Sequence, residues 1–218
     1  SLIKYFKGLE KCMKYNTLPK LMWTCYKSSF KKCLTTVLNE SNPALVMKEA
    51  HKKYKEILSN VPQFDKNDRF IINILNCALL SSVLLSLENK YSLEEIRKYY
   101  QTAMCENFFT KKFSKKSRSY TVKGRQKLKE QAERSMKIEN PYSWKFSVED
   151  EETINQYTAT FYTCGICKLM TELGLKEYIP AMCSLDYDMA RLNNTKFTRE
   201  YTLASGGQYC DCHYDHQN

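Results

Sequence analysis

The chain has 218 residues, of which 43% are apolar and 27% are charged, with only 6 Gly and 5 Pro. This composition excludes a disordered or fibrous protein and favours a helix-rich globular domain. The net charge is +10, and 28 of the 34 Lys and Arg residues lie in residues 1–139. No nucleic-acid motif accompanies the charge, so we interpret it as a solvated surface and predict no nucleic-acid partner.

Capping residues and apolar spacing predict a helical N-terminal half. The predicted helices are residues 2–15, 19–39, 43–61, 69–89, 93–109 and 123–137. Asn42 precedes Pro43 at one helix start, Asp68 can cap the next, and Ser92 with Glu95 forms a capping box. We interpret the long apolar helix at residues 70–87 as buried in the protein and predict no membrane partner, because its Asn and Ser side chains would be costly in lipid.

The basic segment 111–134 holds ten basic and two acidic residues, with a Gly in the middle. We predict a loop followed by a polar helix. Such a run usually lies in solvent, and the alternative is that it lies over the entrance for an anionic substrate.

The composition changes near Pro141, after which strand patterns appear. Alternation predicts strands at 144–148 and 153–163, and a hairpin with arms 196–204 and 208–215 around Ser205-Gly206-Gly207. Helices are expected at 165–173, ended by Gly174, and at 179–193. We therefore predict an α+β fold in which a helical part, 1–139, packs on a small antiparallel sheet with inserted helices, 140–218, as one integrated domain.

The ten cysteines indicate a reducing compartment. The chain is long enough to bury a core without a disulfide framework, and its own N-terminal residues show no signal-peptide pattern, which leaves open a leader that has been removed. Many of the cysteines lie in apolar helical segments, where a free thiol behaves as a small hydrophobic residue. We therefore predict a cytoplasmic protein.

One candidate site is a metal centre built from thiols. Its ligands would come from Cys164, Cys167, Cys183, Cys210, Cys212 and His213. Structural zinc sites often use two paired knuckles, whereas the second pair here is C-x-C on a strand. We predict no metal and no cofactor, and we keep a zinc or iron–sulfur protein as the weakest alternative.

A second candidate is a catalytic thiol. A cysteine becomes nucleophilic when a cation, an imidazole or a helix N-terminus stabilises its thiolate. Cys164 lies at a predicted helix start, which would lower its pKa. Cys183 lies three residues before Asp186, and Cys210 lies beside Asp211 and close to His213. The alternative for each of these cysteines is a buried, inert thiol.

Arg199 is a third candidate, because a basic residue on a mostly apolar strand face needs a carboxylate partner. That partner is either a substrate or an internal acid, with Asp186 or Asp211 as the expected choices. The sequence contains no Gly-rich phosphate loop, no H-E-x-x-H and no G-x-S-x-G motif.

Four motifs in order resemble one known family. They are Trp144-x-Phe146, then Cys164-Gly-Ile-x-x-Leu-x-x-x-Leu-Gly174, then Pro180-x-x-Cys183-x-x-Asp186, and finally Phe197-x-Arg199-x-x-Thr202-Leu-Ala-x-Gly206-Gly-x-x-Cys210-Asp211. Together they resemble the L-2-amino-thiazoline-4-carboxylic acid hydrolase family over about residues 140–214. The chain departs from the family pattern at Cys212, where an aromatic residue is expected.

This resemblance implies hydrolytic opening of a small cyclic isothiourea or amidine to give N-carbamoyl-cysteine or a related product. The expected catalytic residues are Cys183, Asp186 and Cys210. Substrate binding is expected from Arg199, Cys164, Asp211 and His213, with Arg199 on the substrate carboxylate. One fold can host several activities or none, so a non-catalytic small-molecule-binding domain remains the main alternative.

Overall fold

The structure is a computed structural model that describes residues 12–113 and 119–217. Within these ranges the helices are α1 Thr17–Thr36, α2 Pro43–Ser59, α3 Ile71–Leu84, α4 Leu93–Cys105, α5 Phe108–Phe113, α6 Val122–Ser135, α7 Gly165–Glu172 and α8 Ile179–Leu192. The strands are β1 Phe146–Asp150, β2 Gln156–Phe161, β3 Thr195–Thr198 and β4 Cys210–His216. The predicted α+β fold is confirmed.

Local capping chemistry sets several helix boundaries. The Asn42 side chain accepts a hydrogen bond from the Leu45 N–H at the start of α2, and Pro43 occupies the first turn. Ser92 and Glu95 form the predicted capping box of α4. Gly174 follows α7 with φ of 72°. These three predictions are confirmed. They could be made from the sequence because each capping residue lies within a few residues of the helix end that it sets.

Three helix predictions differ from the structure, and one of them is the helix predicted at 69–89, which spans only Ile71–Leu84 and has Phe70, not Asp68, at its N-cap position. The helix predicted at 2–15 lies mostly outside the described residues, and its described end is extended, since the Met13 N–H donates to the Val61 carbonyl. The helix predicted at 93–109 stops at Cys105. Asn107 causes this break: its amide nitrogen donates to the carbonyl of Cys25, and its amide oxygen accepts from the Phe109 N–H.

The apolar helix α3 lies at the centre of the molecule, as its composition predicts. It packs against α2 and α7, while α4 packs against α1 and α8. Ile74, Leu75 and Leu80 have no exposed surface. The Ser82 side chain is also fully buried, and its hydroxyl donates to the Leu79 carbonyl at 2.7 Å, which satisfies the O–H donor. In the part of the chain that the structure describes, no helix is long and apolar enough to cross a membrane.

The strands form one antiparallel sheet in the order β1-β2-β4-β3. Ala159 of β2 pairs with Cys212 of β4, and Phe161 pairs with Cys210. Side chains alternate between the two faces of a strand, so Cys210 and Cys212 share one face. Both are buried. Helix α6 packs against β1, and α8 packs against β3.

The predicted hairpin is wrong in its details. Strand β3 ends at Thr198, so residues 199–209 form a long loop rather than two strand ends around a tight turn. Side chains of β4 hold this loop: the Asp211 carboxylate accepts the backbone N–H groups of Glu200 and Tyr201. Arg199 therefore lies just beyond β3 and not in its middle. The backbone of the loop, rather than strand alternation, sets the orientation of the Arg199 side chain.

Candidate active site

A cavity of about 220 Å³ lies between α3, α7, α8 and one face of the sheet. Five of the residues predicted for the site line it, namely Cys164, Cys183, Asp186, Arg199 and Cys210. Cys164 immediately precedes α7, while Cys183 and Asp186 lie one turn apart on α8. Arg199 follows β3 and Cys210 begins β4. Four separate segments thus contribute to one cavity.

Gly165 allows the chain at Cys164 to pass close to its neighbours. A Cβ atom at this position would lie 1.9 Å from the Tyr142 carbonyl oxygen and 2.9 Å from Cδ1 of Ile74. Only a glycine fits such an approach without moving the backbone. The sequence pattern suggested a helix start here, but the packing requirement becomes evident only in the fold.

Arg199 and Asp186 form an ion pair at the cavity wall. Nη1 of Arg199 donates to Oδ2 of Asp186 at 3.0 Å, and Nη2 donates to the Cys183 carbonyl oxygen at 3.2 Å. The Arg199 side chain is only 6% exposed. Its Nε atom is buried and has no hydrogen-bond partner among the described residues. The sequence left Asp186, Asp211 and a substrate as partners for Arg199, and Asp186 is the partner in the structure.

The environment of Asp186 raises the pKa of its carboxyl group. Desolvation is the main cause, and the neighbouring Arg199 opposes it. The Asp186 side chain is nevertheless 52% exposed, because it lines this cavity and an adjoining one. Its accessible surface faces these cavities, so it is open to a small ligand while protein atoms surround it. Burial is the largest single effect on Arg199 and acts to lower its pKa, but the Asp186 carboxylate and the nearby cavity thiols together raise the pKa above its ordinary value.

The cavity thiols are protonated at neutral pH. Burial raises the pKa of Cys183 to about 12, to which nearby Asp186 contributes while Arg199 opposes it. Burial also raises the pKa of Cys210, and that of Cys212 to about 12. The expected lowering at Cys164 is wrong, because its hydrogen bond with Cys167 and its burial raise the pKa of Cys164 well above the usual value.

Asp211 and His213 do not join the other predicted residues at the cavity. Both lie on β4 between the residues that line it, so their side chains point to the other face of the sheet. Asp211 holds the loop after β3, as described above. Nδ1 of His213 lies 2.7 Å from the Thr158 hydroxyl, and the imidazole is 43% exposed. Among the described residues, no group of three or more His, Cys, Asp or Glu side chains is arranged to hold a metal ion.

Several residues that line the cavity were not predicted from the sequence. Phe70, Trp144 and Phe161 form an aromatic wall, with the Phe70 and Trp144 rings stacked at 4.9 Å. Arg69 also lines the cavity and precedes α3. Trp144 and Phe161 carry a recognisable strand pattern, but neither Arg69 nor Phe70 has a local signal that points to a site. The fold brings them there from the helical half.

Comparison with known proteins identifies a family for this chain. The model of the L-2-amino-thiazoline-4-carboxylic acid hydrolase family matches residues 72–214. The match starts within α3, so it reaches further toward the N-terminus than the motifs indicated. It includes all five predicted residues of the cavity but not Arg69. Neither the curated proteins nor the solved structures give a match. Since the family match covers more than half of the chain, this protein belongs to the L-2-amino-thiazoline-4-carboxylic acid hydrolase family.

Proposed function

We propose that the chain is a hydrolase that opens a small cyclic isothiourea or amidine of the 2-aminothiazoline-4-carboxylate type. The observation that carries this proposal is the meeting of Cys164, Cys183, Asp186, Arg199 and Cys210 at one cavity in a chain of this family. The cavity volume of about 220 Å³ suits a compact ring. The predicted cytoplasmic location is part of this proposal.

Asp186 is the proposed partner of the protonated amidine. The electrophilic carbon of the ring is bonded to two nitrogens and one sulfur, and protonation of the ring nitrogen makes it more reactive. A partly desolvated carboxylate binds such a cation more strongly than a fully hydrated one, because water competes less for the two groups. Arg199 holds Asp186 in place through the hydrogen bond from its Nη1.

The proposed reaction adds water across the carbon–sulfur bond. Oxygen from water bonds to the ring carbon, the bond from that carbon to sulfur breaks, and the sulfur takes up a proton as it leaves. Asp186 accepts a proton from the attacking group and returns it to the leaving group. The second proton of the water passes to solvent as the carbonyl forms, so the product is a neutral N-carbamoyl thiol and no oxidant or reductant is required.

Cys183 and Cys210 either attack the ring directly or position the attacking water. Direct attack requires a thiolate, which burial of Cys183 and Cys210 disfavours. A bound amidinium ion supplies positive charge beside these thiols and lowers their pKa. The ligand itself would then activate the nucleophile. Direct attack passes through an S-linked enzyme intermediate, whereas attack by water does not.

Ring opening of 2-aminothiazoline-4-carboxylate by single variants tests these roles. We expect Asp186→Asn to lower kcat/KM by at least about 100-fold, the usual contribution of a general acid–base group. We expect Cys183→Ser or Cys210→Ser to cause a comparable loss, and Cys25→Ser on α1 to cause none. Full activity in both cavity cysteine variants would eliminate thiol chemistry. Absence of turnover by the parent protein on this ring and on related cyclic amidines would contradict the hydrolase proposal.

A non-catalytic small-molecule-binding domain is the second candidate. The raised pKa values of the cavity thiols favour it, because neutral thiols can line a binding pocket without reacting. Calorimetry on the same ring compounds separates the two candidates. Saturable binding with no product after long incubation supports the binding domain.

A further inference from the structure

The charges that line the cavity do not cancel. Of the described residues, three lining side chains carry charge: Arg69, Asp186 and Arg199. The ion pair between Arg199 and Asp186 has no net charge, and Arg199 is already engaged with the Cys183 carbonyl. The remaining positive charge belongs to Arg69. A cavity with one surplus cation favours a ligand that carries an anion.

Arg69 is positioned to bind such an anion. Its Nη1 donates to Oε1 of Gln131 at 3.1 Å, and its guanidinium lies 5.7 Å from the centre of the Phe70 ring. Both partners are neutral, and no carboxylate of the described residues lies within ion-pair distance of Arg69. Guanidinium has five N–H donors in a planar fork that matches a carboxylate. Among the described residues only Gln131 accepts a side-chain hydrogen bond from Arg69, so most of these donors are available to a ligand.

Arg69 and Asp186 each line the central cavity together with a different neighbouring cavity. A neighbouring cavity of about 280 Å³ shares Arg69, Phe70 and Phe146 with it. Another neighbour, of about 330 Å³, is lined by Asp186 and Met182 but not by Arg69. The central cavity therefore has an Arg69 end and an Asp186 end. A ligand that contacts both must carry opposite charges on opposite sides.

We propose that Arg69 forms a carboxylate subsite that selects zwitterionic ring substrates. The amidinium of the ring binds Asp186, and the carboxylate binds the guanidinium of Arg69. This inference rests on the proposed function, since it assigns a second group of the same substrate. It also differs from the expectation that Arg199 binds the carboxylate, because Arg199 is held by Asp186 within the protein.

A pair of ligands that differ only in the carboxylate provides the test. These are 2-aminothiazoline-4-carboxylate and 2-aminothiazoline, measured with the parent protein and with Arg69→Gln, Arg69→Lys and Arg134→Gln. Arg134 lines the cavity of about 280 Å³ but not the central one, so its variant removes the same charge nearby. We expect Arg69→Gln to lower kcat/KM about 10- to 100-fold for the carboxylate ring only, as a lost charged hydrogen bond does. Arg69→Lys should lose less, and Arg134→Gln should match the parent.

The same ligands distinguish failure of this inference from failure of the hydrolase proposal. If neither ring is hydrolysed, dissociation constants from calorimetry replace kcat/KM. A preference for the carboxylate ring that Arg69→Gln abolishes supports the subsite even without turnover. Equal binding of the two rings by the parent protein overturns it. So does a loss in Arg69→Gln that is the same for both rings, or an equal loss in Arg134→Gln.

Discussion

Arg199 and Asp186 illustrate how a charged pair can be retained beside a cavity. Arg199 is almost fully buried, and its charge is stable there because Asp186 and a backbone carbonyl accept its hydrogen bonds. The same arrangement partly desolvates the Asp186 carboxyl group, and this desolvation raises its pKa. The pair thus holds a reactive carboxylate at the cavity wall, and the guanidinium of Arg199 stabilises the charge on that carboxylate.

Replacement of Arg199 by Met should destabilise the fold in a pH-dependent way. We expect the free energy of unfolding at pH 7 to fall by about 1–3 kcal/mol, less than for a fully buried pair because Asp186 is half exposed. Without Arg199 the pKa of Asp186 rises further. A carboxyl group whose pKa is raised on folding favours the fold while protonated, and this contribution is lost as the pH rises through the folded pKa. The difference in the free energy of unfolding between Arg199→Met and the parent should therefore shrink as the pH falls. Urea unfolding of both proteins at several pH values measures it.

A double variant provides the control for this prediction. Asp186→Asn removes the charge that Arg199→Met leaves unpaired, so Arg199→Met with Asp186→Asn should be more stable at pH 7 than Arg199→Met alone. A difference between Arg199→Met and the parent that stays constant with pH would contradict the electrostatic explanation.

The sequence predicted part of the site at the residue scale. The spacing of Cys183 and Asp186 on one helix is a local property, so their neighbourhood could be inferred without a structure. Arg69 could not be inferred, because it reaches the cavity only when the helical half folds against the sheet. The predicted lowering of the Cys164 pKa was also wrong. The hydrogen bond with the Cys167 thiol and burial raise this pKa by more than the helix N-terminus lowers it.

Among the elements, α7 depends on a close approach that its sequence does not reveal. Its first residue, Gly165, lies against the backbone of Tyr142, and the adjoining Cys164 and Ile166 line the cavity. The capped starts of α2 and α4 and the end of α7 at Gly174 were predicted correctly. The loop after β3 was not, because its geometry depends on Asp211 from a different strand.

Substitution of Gly165 by Ala should therefore disturb both packing and the cavity. The new Cβ atom would overlap the Tyr142 carbonyl, so either α7 or the segment before β1 must move. We expect a loss of about 3 kcal/mol in the free energy of unfolding, measured by urea denaturation, and weaker ligand binding. Gly174→Ala is the matched control: Gly174 has φ of 72° but no atom near its Cβ position. It should cost only about 1 kcal/mol for the left-handed backbone. Equal losses in the two variants would refute the packing argument.

On the scale of the whole molecule, one core connects the helical part and the sheet. Buried residues of α1, α3 and α4 belong to the same hydrophobic cluster as those of β1, β2 and β4. Arg125 of α6 strengthens this connection, since its guanidinium donates to the Asp150 carboxylate and to the carbonyls of Ile154 and Gln156. Arg125 is 4% exposed, so the prediction of a solvated basic segment is wrong at this position. We therefore propose that residues 1–139 and 140–218 form one integrated domain.

Two buried tryptophans, one in each part, can test this integration. Trp23 lies on α1 and stacks on His51, whereas Trp144 precedes β1 and stacks on Phe70. In Trp23→Phe the remaining tryptophan is Trp144, whose fluorescence reports on the sheet part. In Trp144→Phe the remaining tryptophan is Trp23, whose fluorescence reports on the helical part. In each variant we expect urea unfolding followed by tryptophan fluorescence to coincide with unfolding followed by far-UV circular dichroism, since a shared core favours a single cooperative transition.

Comparison within each variant removes the effect of the substitution on stability, because both signals come from the same protein. The circular dichroism signal arises mostly from helices, which lie mainly in the N-terminal part. If the sheet part unfolded independently, the fluorescence midpoint of Trp23→Phe would differ from its circular dichroism midpoint. The cavity would then lie between two units that can separate, since α3 lines it from one part and α7, α8 and β4 line it from the other. Coincident midpoints would instead mean that loss of the core and loss of the cavity are the same event.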